Sequence, residues 1–465
     1  MADWGRRLSN SAVAWSWGFN FLRLASGLLL LPLLLHKLTK ADLGMYYSFL
    51  SLSGIVAVLD IGFSPTIGRF VNYATGGATR LSAHGVAEGE CLPAANLPLL
   101  RELLVTARVF YRFLTLATFV LLGTVGSYMV WQVVAKTSSP GFTWLAWSVS
   151  VLAVCAECYF NFWNVFLRNM NRLLLAVRIE ALAYGLRLLL ACALLLAGAG
   201  LLSLPLASLV TSLIIRNASR HYCLAALAGC PAPARVDWRA HFRTLWPNSW
   251  RLGLYLAGAY LNMNINVQIC SMVFGLGANQ EYGLALQIIT IVGGMAAVWT
   301  SVKWPVIGQH IARQEREPLR RVFWPRLWLH LGTFAVLVTG AITFGPWLIH
   351  AAGKDKQMLP LLWMALLALN GLLEQHLSVW NTLIAMGNRL PMLWPSLATN
   401  AAALGLNLLF VSRPGAVPGV LALGPLLAGV AFNYWFWPRY GARTLGLGWL
   451  QFVRYGFARL RLSGA

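Results

Sequence analysis

The chain has 465 residues, of which 58% are hydrophobic and only 11% are charged, and its mean hydropathy is +0.64. A soluble domain is about 45–50% apolar and about 25% charged, so this composition excludes an ordinary soluble protein. The net charge of +22 would suit a nucleic-acid-binding protein. However, the sequence contains no zinc finger, RNA-binding signature or basic disordered tail, and we expect no nucleic-acid partner.

Apolar runs of about 20 residues recur along the chain, and each is long enough to cross a hydrocarbon core of about 30 Å. They predict an all-α polytopic membrane protein with about twelve transmembrane helices in the lipid bilayer. The predicted spans, in chain order, are 12–36, 43–71, 109–134, 143–167, 173–198, 201–223, 248–274, 281–306, 327–350, 357–386, 390–412 and 416–437.

Arginines are concentrated at both termini and in the loops that follow even-numbered predicted helices, and the other loops contain few basic residues. The positive-inside rule therefore predicts that both termini are cytoplasmic, which is consistent with an even number of spans. Arg6 and Arg7 precede the first apolar run, as in a signal peptide. Since that run has no small-residue cleavage site, we interpret it as an uncleaved helix.

Two stretches in the chain resemble each other at a separation of about 217 residues. The segments that begin at Glu157 and Glu374 share Glu, Trp-Asn and Asn-Arg-Leu at identical spacing, and Pro65-Thr-Ile-Gly68 resembles Pro305-Val-Ile-Gly308. These repeated motifs predict two pseudo-symmetric six-helix lobes, 1–225 and 240–465. Because six is even, the lobes are parallel repeats, which in transporters bind substrate between the halves and alternate access.

Three acids interrupt the apolar runs. Glu157 and Glu374 lie near the middle of the fourth and tenth predicted helices, and Asp60 lies in the second. An ionised side chain at that depth costs about 2.5–3.5 kcal/mol on insertion scales, so it must be neutral, paired or facing water. Two interpretations stay open: structural pairing with arginines of neighbouring helices, or a coupling site for H+ or Na+.

Basic and amide side chains within the spans are candidate substrate ligands. Guanidinium groups suit the oxygens of phosphate. Asn262 and Asn266 share one face of the seventh predicted helix, where they either join helices or line a wet surface that binds sugar hydroxyls. The candidate substrate-binding residues are Arg23, Arg69, Arg112, Arg187, Arg251, Asn262 and Asn266.

The sequence contains few features that would indicate an enzyme. There is no Ser-His-Asp arrangement, phosphate-cradling loop or metal cluster. Cys155 and Cys158 form a CxxC, but both lie within an apolar helix, where buried cysteines are expected rather than a redox or metal pair. We therefore expect no catalytic residue, no metal and no cofactor, with H+ or Na+ as the candidate coupling ion.

The segment Leu38–Phe70 resembles the polysaccharide (O-antigen, Wzx-type) flippases of the MOP exporter superfamily. Members typically show Leu-x-x-x-acid-x-Gly-x-Tyr at the start of the second helix, then Asp-x-Gly-Phe and an Arg near its end. The corresponding residues here are Asp42, Gly44, Tyr46, Asp60, Gly62, Phe63 and Arg69. This motif covers under a tenth of the chain, and the two-lobe, twelve-helix layout extends the agreement.

The resemblance implies a MATE-like pair of lobes around a cationic lumen in a bacterial inner (plasma) membrane. The implied substrate is a polyprenyl-pyrophosphate-linked oligosaccharide, moved from the inner to the outer leaflet for cell-surface polysaccharide assembly. Membrane lipids and polysaccharide polymerase machinery are the further partners considered. Ion-coupled small-molecule exporters of the superfamily share the layout and form the alternative, ranked second because an arginine-rich lumen repels cationic drugs.

Overall fold

A computed structural model describes residues 15, 29–54, 60, 62–79, 92–231, 236–312, 315–352, 356–386 and 390–462. Within these residues the regular elements are helical. The chain divides into two compact units, Met1–Tyr260 and Leu261–Ala465, so the division falls inside one long helix. The lobes expected from the sequence end at 225 and begin at 240.

The first unit contains six complete helices and the first part of a seventh. Residues 29–37 are also helical. The third helix continues through a π-turn, Leu122–Gly126, into Ser127–Val134, and a short 3-10 turn, Gly200–Leu202, precedes the sixth. The helices are α1 Lys40–Ser53, α2 Phe63–Thr75, α3 Leu97–Leu121, α4 Pro140–Asn169, α5 Leu173–Leu196, α6 Ser203–Ala226 and α7 Trp238–Val273.

The second unit contains the end of α7 and the remaining helices. A 3-10 turn, Pro418–Ala422, precedes the sixth of these remaining helices, and a π-turn, Gly429–Asn433, separates it from the seventh. The helices are α8 Gly275–Ser301, α9 Trp304–Ala312, α10 Arg316–Ala352, α11 Leu361–Ala385, α12 Leu393–Val411, α13 Leu423–Ala428, α14 Tyr434–Thr444 and α15 Trp449–Leu462.

In the described part of the chain, eight helical segments are long and apolar enough to cross a membrane. The seventh and tenth predicted helices form as α7 and α11 but are not among the eight, since both include several polar residues. The first predicted helix, 12–36, lies largely outside the described residues.

Several predicted boundaries were wrong because charged turns extend the helices beyond their apolar runs. α3 begins at Leu97 rather than 109, α7 at Trp238 rather than 248, and α10 at Arg316 rather than 327. Side-chain contacts stabilise these extensions. Arg101 of α3 donates to the carbonyl oxygen of Leu227 at 2.7 Å.

The predicted continuous helix 43–71 was also wrong, because the chain forms α1 and α2 with a break between them. Gly62 has a φ of +63°, a left-handed conformation that glycine adopts without strain. The Asp60 carboxylate accepts from the backbone N–H of Ser64 at 3.2 Å, in the first turn of α2. An acidic group at this position satisfies a free N–H group and complements the positive end of the helix.

α4 is the central helix of the first unit, since it packs against α1, α2, α3, α5 and α6. Its buried face contributes Cys158, Phe162, Trp163 and Phe166 to a core shared with α2 and α3. At its N-terminal end, α4 is preceded by a loop that a side chain of α1 holds in place. Asp42, at the start of α1, accepts hydrogen bonds from the N–H and the hydroxyl of Ser138 in that loop.

The core of one end of the second unit is built around Trp380 of α11, which is fully buried. Phe323 of α10 and Phe452 of α15 place their rings 4.9 and 5.0 Å from the Trp380 ring. Gly441 of α14 completes this packing, since a Cβ atom there would lie 2.4 Å from Cε3 of Trp380. The indole ring therefore requires a residue without a side chain at position 441.

We predict that Gly441→Ala lowers the stability of the second unit by about 1–3 kcal/mol, because the added methyl group overpacks a filled core. The measurement is the thermal unfolding midpoint of the purified protein in detergent. Gly405→Ala in α12 is the matched control, since a Cβ atom there meets nothing within 4 Å. It should leave the midpoint unchanged or raise it, and equal losses for both variants would contradict the packing argument.

Candidate functional site

Three cavities in the first unit share a single lining residue, Glu157 of α4. The α4–α6 cavity, between α4, α5 and α6, has a volume of about 250 Å³. The Asp60 cavity, between the α1–α2 break, α3 and α4, has about 350 Å³, and a smaller one beside α1 has about 100 Å³. Polar cavities inside a helical membrane protein are typical positions of substrate and ion sites.

Glu157 is exposed to these cavities. It lies 17 residues from the start of α4 and 12 from its end, which at 1.5 Å per residue is about 18 Å from the nearer end. Among the described residues it makes no ion pair or hydrogen bond, so the predicted pairing with an arginine is not observed there. Its carboxylate is available to a cation, a proton or a ligand.

Arg187 of α5 lines two of the cavities that Glu157 lines. Its guanidinium lies over the ring of Tyr184, 5.7 Å from the ring centroid. No acidic group of the described residues lies within salt-bridge distance of it. An acid and a base thus lie on the walls of the same space, and neither is paired with an oppositely charged group of the described residues.

Asp60 belongs to a hydrogen-bond network at the α1–α2 break. Its Oδ1 accepts from the hydroxyls of Tyr111 at 3.0 Å and Ser64 at 3.1 Å. The Ser64 hydroxyl also accepts from Nδ2 of Asn161 at 3.0 Å. Asn161 lines both the α4–α6 cavity and the Asp60 cavity, so this network adjoins Glu157 through the wall that the cavities share.

The α4–α6 cavity also contains one closed ion pair. Glu180 of α5 accepts from the guanidinium of Arg168 and from the amide of Asn164, both on α4. This pair neutralises its own charge and joins α4 to α5. Of the charged lining residues, Glu157 and Arg187 are therefore the two without an ion-pair partner in the described part of the chain.

Glu374, the repeat counterpart of Glu157, has a different environment in the second unit. Its Oε1 accepts from the hydroxyl of Tyr434 at 2.7 Å, and the same hydroxyl lies 2.7 Å from Oδ1 of Asn370. Tyr434 follows the π-turn of the last span, and its ring lies against Gly429. A π-turn often marks a functional position, and here it brings a phenol to a carboxylate.

The amides of α7 favour the helix-joining interpretation. Asn266 is 2% exposed, and its Oδ1 accepts from Nδ2 of Asn407 at 2.9 Å. Asn407 in turn donates to the carbonyl of Leu421 and accepts from the N–H of Gly424. Asn262 is half-buried, and its backbone carbonyl accepts from Nδ2 of Asn266. These bonds join α7 to α12 and to the turn before α13.

Three other predicted basic residues, all described, are not brought together with Glu157. Arg69 of α2 is half-buried, whereas Arg112 of α3 and Arg251 of α7 are exposed. None of the three lines the cavities described above. Arg251 lies over the ring of Trp250, 5.6 Å from its centroid. Arg23 lies outside the described residues.

Four further polar residues were not predicted from the sequence. Asn161 lies four residues after Glu157, and Asn370 four residues before Glu374, so each shares a helix face with its acid. The four-residue spacing could therefore have identified both asparagines from the sequence. Tyr111 and Tyr434 come from distant positions in the chain, and nothing in the sequence connects them with the acids.

Cys155 and Cys158 are buried free thiols. Cys158 accepts a weak hydrogen bond from Thr118 at 3.9 Å and contributes to the core of the first unit. Across the described residues, no group of three His, Cys, Asp or Glu side chains is placed to hold a metal ion.

Solved structures of membrane transporters resemble the whole chain. The inward-facing conformation of a multidrug resistance MATE family transporter of the MOP superfamily has a TM-score of 0.63 and 14% identity, covering 92% of this chain and 95% of that chain. The chain has the MATE transporter fold. The MATE multidrug transporter DinF-BH in complex with R6G has a TM-score of 0.55 and 15% identity, covering 93% and 96%.

A MATE structure in the straight conformation has a TM-score of 0.56 and 14% identity, covering 95% of this chain and 97% of that chain. Identities this low establish the fold alone. They confirm the predicted fold class, a polytopic, all-helical membrane protein of two lobes. No protein-family model matches the sequence, and no curated protein matches it significantly.

We predict that Tyr434→Phe destabilises the protein by about 1–3 kcal/mol, because it removes the one hydroxyl proton that serves Glu374 and Asn370 and leaves an acceptor without a donor. The measurement is again the thermal midpoint in detergent. Tyr128→Phe is the control, since the Tyr128 side chain is exposed and has no hydrogen bond among the described residues. An unchanged midpoint for Tyr434→Phe would show that its hydroxyl does not hold Glu374.

Proposed function

We propose that the protein is a flippase that moves a polyprenyl-pyrophosphate-linked oligosaccharide from the inner to the outer leaflet by alternating access. This proposal rests chiefly on Glu157 and Arg187, two opposite charges on the walls of a polar cavity that have no ion-pair partner among the described residues. The fold supports a transporter, and the motif at Leu38–Phe70 supports the flippase branch of the superfamily.

Arginine is suited to this substrate because its planar guanidinium binds phosphate and carboxylate oxygens through two parallel hydrogen bonds. Arg187 is the described arginine whose position inside the first unit best fits such a role. Arg23, Arg69, Arg112 and Arg251 remain candidate ligands of the pyrophosphate, on the basis of their positions along the spans. Asn262 and Asn266 are more readily explained by helix packing.

We propose H+ or Na+ as the coupling ion, with Glu157 as its first candidate ligand; Asp60, which lines a cavity with Glu157 but already accepts three hydrogen bonds, is the second. A carboxylate that lacks a partner gains most from binding a cation, because charge in a membrane interior must be compensated. Glu374 already accepts a hydrogen bond from Tyr434, so we assign it a structural role. Protonation or Na+ binding at Glu157 would change the electrostatic field at Arg187 and thereby link ion and substrate.

The proposed location is a bacterial inner membrane with both termini in the cytoplasm, as the distribution of arginines favours. The partners are then the lipid-linked glycan, the surrounding lipids and the polymerase machinery that consumes the glycan. The basic cytoplasmic loops would also bind anionic headgroups.

An ion-coupled exporter of small molecules is the second candidate, and the similarity to MATE multidrug transporters favours it. The two candidates differ in the charge of the cargo. An anionic glycan is attracted by Arg187, whereas a cationic drug needs the acids and is repelled by the arginine.

We predict that deletion of the gene in its host causes full-length lipid-linked oligosaccharide to accumulate in the inner leaflet. The measurement is lipid extraction and mass spectrometry combined with a leaflet-specific labelling reagent. Drug sensitivity without accumulation would contradict the flippase proposal and favour the exporter, and accumulation in the outer leaflet would indicate a defect after flipping.

In the deletion strain, Arg187→Gln should fail to restore transport, and Arg187→Lys should restore it only in part, because lysine keeps the charge but lacks the planar fork. Arg413→Gln is the matched control, since Arg413 is exposed in the loop after α12 and lines no described cavity. Full restoration by Arg187→Gln, with the same protein level, would remove Arg187 from the substrate site.

A further inference from the structure

The α4–α6 cavity has a composition that points to a particular class of ligand. Arg168 and Glu180 neutralise each other on its wall. One positive and one negative side chain then remain, Arg187 and Glu157. A cavity that held only a metal ion or drug cation would leave the arginine without a function, and one that held a simple anion would leave the carboxylate facing that anion.

Neutral polar groups also line this cavity. Oδ1 of Asn164 is buried and has no hydrogen-bond partner among the described residues. The Thr211 hydroxyl donates to the carbonyl of Ala207 at 2.8 Å, which leaves its oxygen free to accept. A buried acceptor without a donor costs free energy, so Asn164 calls for a ligand that supplies a hydroxyl group, and the Thr211 oxygen can accept a second one.

Arg187 is held in a way that suits recognition of a carboxylate. Its guanidinium lies over the ring of Tyr184, which limits the orientation of the planar group. The N–H groups at the edge of the guanidinium can then donate to two oxygens in parallel. Among the described residues no carboxylate of the chain occupies that position.

We propose that the α4–α6 cavity binds a sugar unit that carries a carboxylate. The carboxylate accepts from Arg187, and ring hydroxyls donate to Glu157, to Oδ1 of Asn164 and to the Thr211 oxygen. This inference rests on the proposed function, whose cargo it narrows to a glycan that contains an acidic sugar. It also explains why the acid and the arginine stay apart: the ligand bridges them.

The test is the binding of radiolabelled D-glucuronate to the purified full-length protein in lipid nanodiscs, with unlabelled D-glucose and inorganic phosphate as competitors. We expect saturable binding of glucuronate that neither competitor displaces at tenfold higher concentration. Displacement by phosphate would indicate a simple anion site, and displacement by glucose would indicate a neutral sugar site. Either result, or the absence of binding, would overturn the proposal.

Variants separate the two parts of the proposed ligand. Arg187→Gln should weaken glucuronate binding at least tenfold and Arg187→Lys less, whereas Arg413→Gln should not change it. Thr211→Val should weaken glucuronate binding several-fold, since it removes a hydroxyl acceptor without altering charge. If Thr211→Val and Arg187→Gln both bind glucuronate as the unmodified protein does, the ligand lies elsewhere.

This binding experiment can fail independently of the proposed function. Accumulation of lipid-linked glycan in the deletion strain without glucuronate binding would retain the flippase and reject the acidic-sugar cavity. Glucuronate binding without accumulation would retain the cavity and reject lipid-linked glycan as the cargo.

Discussion

The structure depends above all on how ionised side chains are accommodated where no bulk water can solvate them. The two repeat-related acids show two solutions. In the first unit, Glu157 is left on the wall of polar cavities together with Arg187. In the second unit, the phenol of Tyr434 donates a hydrogen bond to Glu374, so a group of the protein itself stabilises the carboxylate. The two acids at matching positions of the repeated motif therefore occupy an open site in the first unit and a closed one in the second.

The helices around the open site are positioned by the packing of α4 and by the hydrogen bonds of Asp60. α4 contacts most of the first unit, so its buried aromatic face fixes the exposure of Glu157 on its other side. The break before α2 turns Asp60 into a cap for that helix and, through Ser64, connects it to Asn161 of α4. Irregular backbone at membrane depth is tolerated where it lines a cavity, and here it brings a second acid to the region of Glu157.

The sequence predicted the helical class well because the thickness of a bilayer dictates the length of apolar runs. It predicted the break at Gly62 poorly, since the apolar run continues through it and the left-handed φ of one glycine leaves no mark in a hydropathy pattern. The repeated acids identified the right helix but not their partners. Tyr434 is 60 residues from Glu374 and Tyr111 is 51 from Asp60, so packing alone brings these groups together. The sequence of α7 was equally compatible with amides that join helices and amides that line a wet surface. The hydrogen bond from Asn407 to Asn266 favours the first role.

The most direct test of this account is transport by the purified protein in proteoliposomes. A fluorescent polyprenyl-pyrophosphate-linked glycan is distributed in both leaflets, and a membrane-impermeant quencher is then added outside. The account predicts that quenching proceeds beyond the outer-leaflet fraction with the unmodified protein, and stops at that fraction with Arg187→Gln. Quenching that stops at the outer leaflet with the unmodified protein, with or without a gradient of H+ or Na+, would contradict it.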